Sequence, residues 1–245
     1  ARYALTLGNY ENGVMRMVKC YMCDAEGTTD EHAPPKCIFP EKKDLPNQEG
    51  DYRKQLITVR ACELHNTSKS KDDEYLLNIL SMNILTNNIG IRQFLTKVQR
   101  AWNHSEKLKN AITEYQTPVV IVSENEKPQQ SVMLKINGER VLSSMESCAR
   151  ALFFKEAGFS FVGEVNVVCS FLMEVDDIDY NNSVSKIIAT SELALNTETI
   201  KGENLEVFTY KIRIEDSSAM ILMTFYGASK VVAIMRDKNK LAQNA

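Results

Sequence analysis

A chain of 245 residues with 44% apolar and 25% charged residues can bury a substantial core, either as one large unit or as two small ones. Its net charge of −3 excludes a nucleic-acid partner held by a global basic field, so any such partner must be held by local patches. No run approaches the roughly 20 apolar residues of a membrane span, and the first residues lack the charged start and apolar stretch of a secretory signal.

Residues 1–75 are rich in turns. Pro34, Pro35, Pro40 and Pro46 exclude a long helix between positions 30 and 50. Gln55 to Ala61 reads as a short, β-branched strand. Asp72, Asp73 and Glu74 suit the first turn of a helix; their rarer use would be a second metal site. From Tyr75 to about Tyr115 the pattern is helical, with Leu76, Ile79, Leu80, Ile84 and Leu85 near a 3.6 period. A break is expected at Asn87 to Gly90, and a second helix carries Ile91, Phe94, Leu95, Val98 and Trp102 on one face. Its other face holds Arg92, Lys97, Arg100, Lys107 and Lys109, either a solvated face or a stripe for a DNA backbone. His104, between Asn103 and Ser105, reads as a surface residue.

Thr117-Pro118 marks a boundary beyond which the composition turns towards β. Strands are expected at Val119 to Val122, Val132 to Ile136, Val165 to Met173, Val207 to Ile214, Met220 to Phe225 and Lys230 to Met235. Arg140 to Ala157 reads as a helix ended by Gly158, and Ser185 to Leu195 as a second one. The fold class is therefore α+β, with an antiparallel sheet in the C-terminal region. Residues 1–75 form one domain, 76–117 a helical connector, and 118–245 a C-terminal domain whose role the residues do not state.

Cys20-x2-Cys23 followed by Cys62-x2-His65 has the spacing of a tetrahedral zinc site. Each close pair comes from one tight turn. Thiolates and a neutral imidazole suit a borderline-soft ion, and four protein ligands leave no open position, so the ion is structural. In a small domain such a staple supplies folding free energy on the order of 10 kcal/mol. Cys37, after Pro34-Pro35-Lys36, reads as a small buried side chain, and Cys148 and Cys169 lie in apolar segments. That distribution of the six cysteines suits reduced thiols and a cytoplasmic location.

Between and after those pairs stand Asp30-Glu31-His32-Ala33-Pro34-Pro35 and His65-Asn66-x2-Lys69-Ser70. Over about residues 18–76 this order resembles the HNH endonucleases, the zinc-braced branch of the ββα-metal nucleases. Within that family it is similar to the group reading Glu-His-x-Pro-Pro-Lys-Cys in the first half and Ser-Lys-Asp-Asp-Glu-Tyr in the second, which carries a C-terminal extension. The resemblance implies a zinc-braced ββα-metal fold in which His32 is the general base, Glu31 and Asn66 bind a catalytic Mg2+ or Mn2+, and Lys69 contacts a phosphate oxygen. A neutral imidazole can take a proton from water near neutral pH, and hard oxygen ligands suit those cations. The sequence departs from the family at the fourth zinc ligand, His65 where Cys is usual, and at the middle motif position, which falls on Ile57. Thr58 or Asn47 would then orient His32. Adjacent strand residues point to opposite faces, so Glu31 and His32 converge only if the strand bends, as Pro34-Pro35 would favour.

Three functional expectations follow. The first is metal-dependent hydrolysis of DNA phosphodiester bonds with little intrinsic sequence preference. The second is a zinc-braced module that binds nucleic acid or protein without turnover. The third is a C-terminal half that senses a ligand, a regulatory partner or a second copy and gates the first half.

Overall fold

The computed structural model of the chain describes residues 10–11, 14–15, 18–48, 50–67, 69–121 and 127–237. Two short strands, β1 (Tyr10–Glu11) and β2 (Val14–Met15), pair antiparallel at its start. A second hairpin joins β3 (Thr29–His32) to β4 (Thr58–Ala61), in a register that sets His32 opposite Thr58 and Thr29 opposite Ala61. Among the described residues, the loop between them holds short 3-10 turns at Lys36–Ile38, Lys42–Asp44 and Pro46–Gln48, and its prolines oppose a longer helix. The strand expected from Gln55 starts at Thr58 because Gln55 takes a left-handed conformation (φ 52°), which breaks the extended run.

Helix α1 (Glu63–Thr67) follows β4 directly, and α2 (Ser70–Ser81) buries Leu76, Leu77, Ile79 and Leu80. The break at Asn87 is a cap: its side chain accepts from the backbone N–H groups of Ile89 and Gly90 at the start of α3 (Asn88–Gln93). Gly90 is required there, since a Cβ would lie 2.0 Å from Thr86 Oγ1. One π turn over Phe94–Val98 leads to α4 (Gln99–His104) and α5 (Glu106–Thr113). Strands β5 (Gln116–Ile121) and β6 (Gln129–Leu134) form a hairpin, with position 122 of the expected strand outside the described residues.

The C-terminal part holds α6 (Gly138–Ala157), β7 (Glu164–Cys169), α7 (Ile178–Ala194), β8 (Phe208–Glu215), β9 (Ser218–Phe225) and β10 (Ser229–Arg236). Asn137 caps α6 by accepting from Arg140 N–H, and Gly158 closes it in the left-handed region (φ 79°). Helix α7 begins seven residues before the expected Ser185. Asp177 caps it by accepting from Tyr180 N–H, and its first turns are too polar and exposed to show an apolar period.

The four strands form an antiparallel sheet in the order β7-β10-β9-β8. Its two faces are sorted by period two. Ile221, Met223, Phe225, Val231, Ala233 and Met235 join the core on the α6 side, whereas Leu222 and Val232 pack with Val184, Ile188 and Leu195 on the α7 side. Helix α6 buries Val141, Met145, Ala149 and Leu152, at helical spacing, in the core it shares with the sheet. Each large side chain so buried contributes about 1.5–3 kcal/mol. The same apolar core runs without a break to Cys20, Tyr21, Ile38, Leu76 and Leu80. No helix among the described residues is long and apolar enough to cross a membrane.

Candidate metal centre and the cavity beside it

The turn at residues 20–25 is built by backbone bonds. Cys20 N–H donates to Ala25 O at 2.8 Å, Gly27 N–H to Val18 O at 2.8 Å, and Tyr21 N–H to Arg60 O at 2.9 Å. The last of these fixes the turn onto β4. Gly27 permits the approach, because a Cβ there would meet Arg60 Cβ at 2.6 Å. Across from it, Cys62 O accepts from His65 N–H (3.1 Å) and Asn66 N–H (3.2 Å), which starts α1.

These two turns bring Cys20, Cys23, Cys62 and His65 together, with all four donor atoms within 4.8 Å of one another. His65 Nδ1 lies 3.5 Å from Cys20 Sγ, 3.5 Å from Cys23 Sγ and 3.2 Å from Cys62 Sγ, and Cys23 Sγ lies 3.9 Å from Cys62 Sγ. A tetrahedron with metal–sulfur bonds near 2.3 Å and metal–nitrogen bonds near 2.0 Å has edges of about 3.5–3.8 Å. The donor set therefore fits a metal ion such as zinc. Hydrogen bonding, led by His65 N–H, lowers the Cys62 thiol pKa, which favours the thiolate a metal needs. Burial, then Lys69, lowers the pKa of His65 and keeps its ring neutral, as a ligand must be.

On the far side of Tyr21 a cavity of about 40 Å³ separates this hairpin from α6. Glu31, His32, Lys69 and Asp73 line one wall, and Ser143, Ser144, Ser147 and Cys148 of α6 line the other. Glu31 is 9% exposed. Burial, with Asp73 adding to it and Lys69 opposing it, pushes its carboxyl up to about 7. Asp73 is pushed up to about 6, again by burial first. Lys69 donates to the Tyr21 hydroxyl with its ammonium 5.0 Å from that ring's centre, and burial lowers its pKa against the pull of Glu31 and Asp73.

His32 Nδ1 lies 3.4 Å from Thr58 Oγ1, and Thr58 donates its hydroxyl proton to Leu56 O at 3.1 Å. With that proton committed, Thr58 offers an acceptor to Nδ1–H, the tautomer in which Nε2 is the basic nitrogen, and the Ile57 backbone is a second partner of the ring. Burial, then Lys36, lowers the His32 pKa, so the ring is neutral at neutral pH. Of the two residues expected to orient His32, Thr58 touches its ring, while Asn47 is exposed in the turn at Pro46–Gln48.

Of the expected site residues, Glu31, His32 and Lys69 meet at the cavity and Asn66 does not. Asn66 Nδ2 donates to Asp30 O at 3.3 Å, outside the lining. Asp73, read mainly as a helix-start acid, is on the lining instead, four residues after Lys69 and so on the same helical face. The basic stripe is divided. Arg100 grips the buried Asp44 at 2.9 and 3.1 Å, and Lys97 donates to Cys37 O at 3.2 Å and pairs with Glu41, whereas Lys107 and Lys109 are exposed. No family model, curated protein or solved structure matches the chain.

Proposed function

We propose that the chain is a zinc-braced, HNH-type endonuclease that hydrolyses DNA phosphodiester bonds with a divalent cation. The observation that carries this reading is the convergence, beside a four-ligand metal cluster, of a neutral imidazole, a buried carboxylate and an ammonium on one cavity. Structural zinc would be held by Cys20, Cys23, Cys62 and His65. A catalytic Mg2+ or Mn2+, when bound, supplies charge stabilisation to the phosphate and the departing 3′ oxygen. Glu31 fits such a cation as an oxygen donor.

His32 Nε2 takes a proton from the attacking water, and the Thr58 contact to Nδ1 holds the ring in the tautomer that can do so. Lys69, drawn off Tyr21 by a phosphate, gives its ammonium to a non-bridging oxygen. DNA is held by local basic groups, with Lys107 and Lys109 free to contribute.

Relaxation of supercoiled plasmid with Mg2+ or Mn2+ tests the reading. His32→Ala is expected to cut about 10²–10⁴-fold more slowly than wild type, the usual contribution of a general base. Equal cutting by both removes His32 from the mechanism. A wild-type chain that cuts with no divalent ion tried is instead a binding module. One observation favours that second reading: α6 covers Glu31, and the cavity is too small for a nucleotide.

A further inference from the structure

The cavity between the zinc-type hairpin and α6 is lined by two carboxylates that come from different elements, Glu31 on β3 and Asp73 on α2. Glu31 is nine-tenths buried and lines the cavity, and among the described residues its carboxylate has neither a hydrogen bond nor an ion pair. Asp73 is only half-buried, and its carboxylate likewise shows no hydrogen bond or ion pair among the described residues, where its backbone meets Lys69 O and the Cys37 thiol. Lys69 does not resolve this, because its ammonium goes to the Tyr21 hydroxyl and no ion pair joins it to either acid among the described residues. The neighbouring Asp72 shows the contrast: Arg140 holds it at 2.7 Å. Two part-desolvated carboxyl groups that face one cavity without a partner are relieved by a proton or by a cation between them.

Size and charge narrow the occupant. A space of about 40 Å³ holds about three or four water-sized groups at about 10–15 Å³ each, which is room for an ion with its waters. Carboxylate and hydroxyl oxygens select a hard divalent cation over a soft one.

We propose that Glu31 and Asp73 are the two protein ligands of a divalent-cation site in this cavity, with Asn66 outside it. The inference deepens the hydrolase reading by naming the second ligand of the cation that reading needs, and it rests on that reading only for what the cation does. Manganese is the probe. The full-length, zinc-loaded chain is titrated with Mn2+ alone, and free Mn2+ is followed by electron paramagnetic resonance.

Wild type is expected to take up Mn2+ beyond its zinc. Glu31→Gln and Asp73→Asn should each weaken that uptake about tenfold or more, the scale on which a lost metal partner acts, while Asn66→Ala stays within about twofold. An Asp73→Asn chain that keeps its zinc and binds Mn2+ like wild type overturns the proposal, as does wild type that binds no Mn2+. Where a variant loses its zinc, the wild-type chain decides by nuclear magnetic resonance: Mn2+ must broaden the amide signals of Asp73 and Ser147 first, and broadening centred elsewhere overturns the site. Mn2+ bound through Asp73 without any DNA cleavage keeps the site and removes the hydrolase. Wild-type cleavage by Asp73→Asn keeps the hydrolase and removes Asp73.

Discussion

Thr58 has one proton to donate and spends it on Leu56 O, which makes its oxygen an acceptor for His32. Thr58→Val keeps the shape of the side chain and removes that acceptor. Cleavage is expected to slow about tenfold, the equivalent of a hydrogen bond worth about 1.4 kcal/mol, and Thr58→Ser should restore it. A rate that does not change in Thr58→Val would show that the imidazole needs no orientation from that side. At this scale the four zinc-type ligands were legible, because each pair is local and its spacing alone determines which atoms can meet. Asn66 and Asp73 were not. Which of them reaches the cavity depends on how α1 and α2 are rotated about their axes, and neighbours distant in the sequence set that rotation.

Glu41 ties three elements together. It pairs with Lys43 in its own turn, with Arg53 before β4 and with Lys97 in the π turn. Hydrogen bonding to Lys43, with Arg53 and Lys97 adding to it against the opposing effect of burial, holds its carboxyl down to about 2. A carboxyl whose folded pKa lies below its ordinary value of 4.5 contributes stability that is present above about pH 4.5 and lost as the pH falls towards 2. Glu41→Gln should therefore lower the urea midpoint at pH 7, by the equivalent of about 1 kcal/mol for a part-exposed network, and the difference should shrink as the pH falls from about 4.5 towards 2. An equal deficit at both pH values would rule out the charge as the cause.

A second tie joins α2 to α6. Arg140 bonds Asp72 Oδ1 (2.8 Å) and Lys71 O (3.0 Å), and it lies 4.2 Å from the Tyr75 ring centre. Arg140→Ala should cost about 1–2 kcal/mol and speed amide exchange at the start of α6. Unchanged exchange there would show that the helix is held by apolar packing alone. Helices and strands with a clear period were legible in the sequence. The start of α7 was hidden by its polar turns, and the α6 wall of the cavity by serines that are chemically ordinary until something packs over them.

Because the core runs from Cys20 to the far sheet, the metal cluster and the C-terminal half share one buried interior. Chelation of the metal is expected to lower the melting temperature of the whole chain in a single step. Two separate transitions, one of them insensitive to the chelator, would instead show that the halves unfold alone. One bond makes the coupling direct: Ser160 Oγ, just past the end of α6, donates to Cys20 O at 2.8 Å. The backbone of one of the four candidate ligands is thus tied to the segment that leads from α6 into the sheet, so a shift of that segment pulls on the ligand's own peptide. Ser160→Ala should cut that wire and let a chelator strip the metal about fivefold faster, for a hydrogen bond worth about 1 kcal/mol.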